Sequence, residues 1–224
     1  MRKAIGVGAL ALGATYAGAT YAGATWGSTR EERERMLPSD AMVPDPMVVT
    51  NHAITIRGHA DDVWPWLVQM GWHRAGWYTY RWVDRLLFPA NLPSVDEIIP
   101  EFQDLAVGDH IPDGPPEREC YFVVDRLERP SLMVLHSRSH LPPKPEHAWL
   151  DWVWTYVLED RGDDVRVLLM TRARLGPPWI AAVYRASLWT DFVMARSHLR
   201  GIKVRVESHV GVGKIAADDR YSGA

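Results

Sequence analysis

The chain has 224 residues, of which 47% are hydrophobic and 24% are charged, and its formal net charge is −3. This length and composition are sufficient for one globular domain with a hydrophobic core. The small negative charge argues against a basic surface, so we expect no nucleic-acid partner. The single cysteine, Cys120, rules out an internal disulfide. Eleven tryptophans indicate either a tryptophan-rich core or the wall of a cavity.

Residues 1–27 form an apolar segment that is rich in glycine and alanine. Arg2 and Lys3 precede 24 uncharged residues, which contain a Gly-Ala-Thr-Tyr-Ala repeat. A stretch of about 20 apolar residues can span a membrane, but this one is only weakly hydrophobic. Three interpretations stay open: a single membrane span or signal anchor, a cleaved signal peptide, and a soluble low-complexity tail. The first two predict a protein that is membrane-anchored or exported, with its sidedness unknown.

Residues 28–46 are polar and contain several prolines, so we expect a linker. A folded domain is predicted for residues 47–209, and a flexible tail for residues 210–224. The domain opens with a β-branched run at 48–57, which predicts a strand with its even-numbered side chains inward. Two short helices are expected next, one starting at Asp61 and one that Thr79 caps and that extends to about Phe88.

Four or five further strands are predicted between residues 107 and 175. They cover 107–111, 119–127, 132–137, 149–158 and 165–175, and turn sequences separate them. Since short connections join antiparallel neighbours, the sheet is expected to be mostly antiparallel. The even positions of 149–158 are all apolar, which predicts that Asp151 points outward to solvent.

One long helix is predicted from Pro178 to about Ser208, because apolar residues recur there at steps of three or four. Such a helix is about 45 Å long and can cross a whole sheet. Gly201 is the one position at which we expect it to bend. The element order therefore predicts an α+β fold in which a curved antiparallel sheet wraps around the long C-terminal helix. Two short helices follow strand one, and an apolar cavity lies between sheet and helix.

Several sequence phrases resemble the START-like or SRPBCC superfamily, in particular a bacterial branch of it. They are residues 53–67 (AITIRGHADDVWPWL), 68–71 (VQMG), 76–82 (GWYTYRW), 100–109 (PEFQDLAVGD) and 191–196 (DFVMAR). The superfamily includes polyketide cyclases and lipid-transfer domains. The resemblance covers residues 47–209 and implies a helix-grip fold. Because the superfamily includes binders, carriers and enzymes, the resemblance leaves the function open.

The first functional hypothesis is that a hydrophobic small molecule or lipid is bound or carried in the internal cavity, through apolar burial worth ~25 cal/mol per Å². The candidate ligand-binding residues are those expected to line or border this cavity: Trp152, Trp154, Tyr156, Tyr184, Leu188, Phe192, Tyr78, Tyr80 and His136. A cyclase- or dehydrase-like enzyme is the alternative, with its titratable group supplied by His52, His136, Tyr78 or Asp151. A third hypothesis is a membrane-associated interaction protein whose cavity is filled by its own tryptophans.

Neither a metal nor a cofactor is expected. His136, His140 and His147 come nearest to a metal pattern, but neighbouring prolines place them in a loop and no carboxylate lies at a useful spacing. We therefore expect solvated histidines. The chain has no P-loop, no Gly-x-Ser-x-Gly and no Gly-x-Gly-x-x-Gly after a strand.

Overall fold

The computed structural model of the chain describes residues 15–16, 18–87, 89–141 and 147–221. The helices are α1 (18–24), α2 (Arg30–Glu34), α3 (Ala60–Gln69), α4 (Arg81–Leu87), α5 (Pro178–Ala186) and α6 (Leu188–Tyr221). The strands are β1 (Val48–Arg57), β2 (His110–Pro112), β3 (Tyr121–Glu128), β4 (Leu132–Ser137), β5 (Trp149–Arg161) and β6 (Asp164–Gly176). Short 3-10 helices cover Pro38–Met42, Pro100–Phe102 and Pro116–Arg118.

The six strands form one curved, open antiparallel sheet in the order β1-β6-β5-β4-β3-β2. Each of the consecutive pairs from β2 to β6 is antiparallel, and β1 closes the other edge by pairing with β6. The even positions of β5 from Leu150 to Leu158 all belong to the core beneath α6, as their alternation predicted. The α+β helix-grip fold expected from the sequence is therefore confirmed.

The C-terminal helix is broken near its start. Ser187 lies between α5 and α6, and its hydroxyl donates to the carbonyl of Tyr184 at 2.9 Å. Such a local side-chain bond competes with the helical pattern. Gly201, where a bend was expected, lies within the uninterrupted α6. The apolar face of α6 then crosses the sheet, and Ala195, Leu199 and Ile202 are buried against it.

The segment 28–46 covers the outer face of the sheet, which differs from the linker expected. Leu37 and Val43 are buried in a second hydrophobic cluster with Val153, Leu168 and Met170 of the sheet. The sequence of β6 already indicated that the outer face of the sheet is covered, because apolar side chains lie between the arginines on that face. An apolar outer face requires a cover, and this segment supplies it.

The end of the N-terminal segment packs along β1, the edge strand. The ring of His52 donates from Nε2 to the carbonyl of Gly23 at 3.0 Å, and the backbone N–H of Ala53 donates to Trp26. Gly27 has φ +74, and a side chain there would overlap the Ala53 carbonyl. These residues therefore protect part of an exposed strand edge.

Two further expectations concern the ends of the chain. Within the described ranges, no helix has both the length and the apolar character that a membrane crossing requires. Most of the predicted membrane span, residues 1–14 and 17, lies outside the described residues, as does Phe88 in the second short helix. At the C-terminus, α6 continues to Tyr221, so the predicted tail is helical up to that residue.

Candidate functional site

An aromatic cluster fills the space between the sheet and α6. Trp154 lies at its centre, with ring centroids 5.9 Å from Trp77, 4.7 Å from Phe122 and 5.5 Å from Trp152. The strand alternation of β5 points Trp152 and Trp154 to the same face, and β3 and the segment before α4 supply the other two rings. These edge and stacked contacts are the arrangements that aromatic pairs prefer.

A small enclosed cavity, which we call the chamber, remains next to this cluster. Its volume is about 10 Å³. The residues that line it are Trp77, Trp154, Leu169, Thr171, Asp191, Met194, Ala195 and His198. A cavity of this size holds about one water molecule, whereas pockets for drug-sized ligands measure about 300–1,000 Å³. In this structure the chamber therefore has no room for a lipid.

Asp191, in the first turn of α6, brings a carboxylate to the chamber. The residue is partly exposed as a whole, but its Oδ2 atom is buried and has no hydrogen-bond partner. Burial raises the pKa of this carboxyl to about 6, and the Thr50 hydroxyl nearby opposes the shift without meeting hydrogen-bond geometry. The indole N–H of Trp154 is also buried without a partner. Each buried polar group without a partner costs about 1–3 kcal/mol of folding stability. The chamber lining therefore contains a hydrogen-bond acceptor and a donor that are not satisfied.

His198 connects three parts of the chamber wall. Its Nδ1 lies 2.6 Å from the Trp77 carbonyl and therefore carries the proton, while its Nε2 accepts from the Tyr156 hydroxyl at 3.0 Å. Burial is the main reason that its pKa is lowered to about 4, so the ring is neutral at pH 7. With both nitrogens engaged, His198 holds α6 to β5 and has no free position for proton transfer.

A second polar cluster lies on the other side of the aromatic rings. His140 bonds Asp113 through Nε2 at 2.8 Å and Ser137 through Nδ1 at 2.5 Å, and its ring packs on Phe122 and Trp152. The prediction of a solvated His140 is therefore wrong. A serine, a histidine and an aspartate in this order resemble a nucleophilic triad, but Ser137 is only 2% exposed and does not line the chamber. A nucleophile must be reachable by its substrate, and burial closes off the Ser137 hydroxyl in this structure.

Five of the predicted ligand-binding residues lie in the aromatic cluster or against the core around it. Trp154 lines the chamber itself. Trp152 and Tyr156 lie on the same face of β5 and contact the Trp154 ring. Tyr184 is half-buried against Trp152, with the ring centroids 6.1 Å apart. Leu188 is partly buried at the edge of the core.

The other predicted residues lie elsewhere. Phe192 lies at the edge of the buried face of α6 and faces the N-terminal segment, where its ring lies 6.5 Å from Trp26. His136 is on the outer face of the sheet, where its Nε2 lies 3.2 Å from Asp151. Neither residue lines the chamber, so both cavity assignments are corrected. Asp151 points outward as expected and also accepts from Arg138.

Tyr78 and Tyr80 border an open groove on the surface beside α6. Tyr78 itself is buried, and its hydroxyl donates to the Trp66 carbonyl at 3.0 Å, which fixes it to α3. The groove has a volume of about 640 Å³. Its other side is formed by Arg200 and Lys203 of α6, whose neighbour Val204 is exposed. This groove is separate from the chamber.

The sequence analysis did not select Asp191 and His198, although both line the chamber. A signal was available, because residues 191, 195, 198 and 202 follow each other at helical spacing on the buried face of α6. Two ionisable residues on an otherwise apolar helix face indicate a polar feature in the core. Among the described residues, no group of three or more histidine, cysteine, aspartate or glutamate side chains is arranged to hold a metal ion.

No family model matches the sequence, and no curated protein matches it. Similar solved structures include the di-domain ARO/CYC StfQ from the steffimycin biosynthetic pathway, at 14% identity over 73% of this chain and 52% of that chain, with a TM-score of 0.46. A point mutant of norcoclaurine synthase from Thalictrum flavum has 16% identity over 72% and 95% of the two chains and a TM-score of 0.41. The Polyketide_cyc-like protein Cgl2372 from Corynebacterium glutamicum has 12% identity over 76% and 94%, with a TM-score of 0.34.

The chain spans about half the length of StfQ. The helix-grip architecture itself is established by the strand order and by the position of α6 across the sheet. The chain is thus a helix-grip protein whose interior is almost filled by its own aromatic side chains.

Proposed function

We propose that the protein binds a small amphipathic molecule in the chamber, which widens to admit it. The observation that carries this proposal is the buried Oδ2 of Asp191, which lines the chamber without a partner. A hydrogen-bond donor on the ligand would bond to this oxygen. The apolar part of the ligand would pack against the surrounding rings in place of the contacts that the rings now make with one another. Asp191 would then select the ligand by its donor, and Trp154 by its flat apolar surface.

Widening is required because the closed chamber holds about one water molecule. Met194, which lines it, has an unbranched side chain that adapts readily to different shapes. The joint at Ser187 precedes Asp191 by one helical turn, and the first turn of α6 is packed less deeply than its centre. A small rotation of this turn would enlarge the chamber without disturbing the buried face around Leu199.

The test uses 2-naphthol, an apolar fluorescent molecule with one hydroxyl donor, titrated into the full chain. Saturable binding is expected, and Asp191→Asn is expected to weaken it roughly tenfold or more, since a hydrogen bond to a charged group contributes about 1.5–3 kcal/mol. Asp151→Asn, on the outer face of the same sheet, serves as the matched control and should bind normally. The methyl ether of 2-naphthol, which lacks the donor, should bind the unmodified chain as weakly as 2-naphthol binds Asp191→Asn.

Native mass spectrometry of the full chain supplies an independent measurement. A co-purifying small molecule that Asp191→Asn loses and Asp151→Asn retains would support the proposal. Absence of any adduct together with no saturable binding of 2-naphthol would contradict it.

The size of the chamber favours a second candidate function. With a volume of about 10 Å³, the interior also fits an interaction protein whose cavity is permanently filled by its own tryptophans. In this alternative the protein would act at a membrane through its apolar N-terminal segment. It predicts no adduct and no 2-naphthol binding, which separates it from the first proposal.

A cyclase- or dehydrase-like enzyme would need a titratable group at the chamber. None of the four groups considered from the sequence lines it: His52 and Tyr78 bond backbone carbonyls, and His136 and Asp151 lie on the outer face. Asp191 is the residue that would have this role, since a carboxyl with a pKa of about 6 can exchange a proton near neutral pH. If the chamber binds a reactive ligand, Asp191 is the acid or base to test.

A further inference from the structure

Four large side chains are exposed around the joint between α5 and α6, and we call them the interfacial patch: Tyr16, Trp179, Val183 and Trp189. Between 52% and 61% of each is exposed to solvent. Trp179 and Val183 are one helical turn apart on α5, and Trp189 lies in the first turn of α6. Large apolar side chains that are exposed in one region of a soluble protein often mark an interaction site.

Tyr16 links the N-terminal segment to the same place. Its hydroxyl donates to the carbonyl of Ala186, the last residue of α5, at 2.6 Å. The preceding residues, 4–14, are uncharged and mostly alanine, glycine and leucine. Tyr16 therefore brings the described start of the chain to the end of α5.

The charge on α5 is cationic. The helix carries Arg185 and no acidic residue. Arg185 is exposed to solvent. Asp191, the next acid along the chain, has its Oδ2 buried at the chamber. Apolar and aromatic side chains beside a cation form the pattern of a helix that lies in the interface of an anionic membrane.

We propose that the interfacial patch docks onto the surface of a lipid bilayer with anionic headgroups. Tyrosine and tryptophan prefer the boundary between headgroups and hydrocarbon, because one end of each side chain is apolar and the other is a hydrogen-bond donor. Trp179, Val183 and Trp189 insert at this boundary, and Arg185 pairs with lipid phosphates. The docking does not depend on ligand binding in the chamber, although it brings the first turn of α6 close to the bilayer.

The experiment measures co-sedimentation of the full chain with two kinds of vesicle. One is made of phosphatidylcholine alone, and the other is an equal mixture of phosphatidylcholine and phosphatidylglycerol. Stronger binding to the mixed vesicles is expected. Replacing both Trp179 and Trp189 by serine should lower this binding about tenfold or more, since each buried large apolar side chain contributes about 1.5–3 kcal/mol and 1.4 kcal/mol is tenfold.

The matched control replaces Trp82 and Leu86 of α4 by serine, because these two side chains are exposed to a similar degree but lie away from the patch. The control should bind like the unmodified chain, and circular dichroism should show that both variants are folded. Equal binding by both double variants and the unmodified chain would overturn the proposal. So would a concentration-dependent dimer in solution that only the Trp179/Trp189 variant loses, because the patch would then be a contact between copies of the chain.

Discussion

Two buried carboxyls in this protein have pKa values shifted in opposite directions, and their partners explain why. Glu32 accepts from Arg166 through both oxygens, at 2.8 Å each, and this bond is the main cause that lowers its pKa to about 2. Asp191 has no cation beside its buried oxygen, so desolvation raises its pKa to about 6. The same type of side chain therefore stabilises the fold at one position and destabilises it at the other.

Replacing Glu32 by glutamine should destabilise the protein by about 3 kcal/mol at neutral pH, because Arg166 loses its buried counter-charge. The folded pKa lies below the ordinary value of 4.5, so the stabilisation is complete above that pH and is lost as the pH falls toward 2. Urea unfolding across this range should show the variant and the unmodified chain converging in acid. Glu34→Gln, which removes an exposed ion pair on the same helix, should change the unfolding free energy by less than about 0.5 kcal/mol.

Asp191→Asn should have the opposite effect and stabilise the protein. The folded pKa of about 6 exceeds the ordinary value of 3.8, so ionising this carboxyl costs more free energy in the folded state than in the unfolded state. The stability of the protein therefore falls as the pH rises between these two values. The variant should therefore gain about 1–3 kcal/mol well above pH 6 and almost nothing near pH 3.8. Thermal unfolding at both ends of the range measures the difference. A variant less stable than the unmodified chain at high pH would show that the carboxylate has a partner in solution.

At the scale of secondary-structure elements, the crossing of α6 with the segment before α4 depends on one glycine. A Cβ atom at Gly201 would overlap the carbonyl of Tyr78, which passes directly over the helix. Gly201→Ala should therefore destabilise the protein by about 1–3 kcal/mol despite the higher helix propensity of alanine. Gly211→Ala in the same helix meets nothing within 4 Å and should stabilise it slightly. Urea unfolding of the two variants should give shifts of opposite sign, and equal shifts would contradict the close crossing.

Much of the arrangement of elements could be predicted because it follows from local periodicity. The alternation in β5 and the helical spacing around Leu199 each fix a buried face without knowledge of the rest of the chain. The break at Ser187 could not be predicted, because Gly201 is the more usual site of a bend and no proline interrupts the helix there. Phe192 lies at the edge of the buried face of α6 and contacts Trp26 instead of the chamber, so a correctly predicted apolar face still gave one wrong contact.

The candidate site was less predictable than the fold. Whether Trp152 and Trp154 line a cavity or fill it depends on the rings opposite them, and Trp77 and Phe122 come from distant parts of the sequence. His140 was assigned to a solvated loop because prolines follow it, yet its partner Asp113 lies on another loop. Asp191 was passed over because periodicity identifies apolar positions and gives no weight to a charged residue among them.

At the scale of the whole molecule, the sheet is covered on both faces. The inner face holds the aromatic cluster and α6, and the outer face holds residues 28–46. The cover is fixed by polar contacts as well as apolar ones, since Arg172 bonds Asp40 at 2.5 Å and Thr155 donates to Ser39 at 2.6 Å. Antiparallel sheets commonly leave one face in water, so this protein depends on its N-terminal region more than its fold class requires.

Val43→Asp tests this dependence, because Val43 is buried against the outer face of the sheet. A carboxylate there has no described cation beside it, so the variant should lose about 4 kcal/mol or more, or fail to fold. Val43→Ala should lose about 2 kcal/mol from apolar burial alone, which keeps the test informative if the aspartate variant cannot be purified. Met36→Asp, at an exposed position of the same segment, is the control and should unfold like the unmodified chain. If Val43→Ala and Met36→Asp unfold at the same urea concentration, residues 28–46 are not part of the cooperative unit, and the outer face of the sheet is stable without its cover.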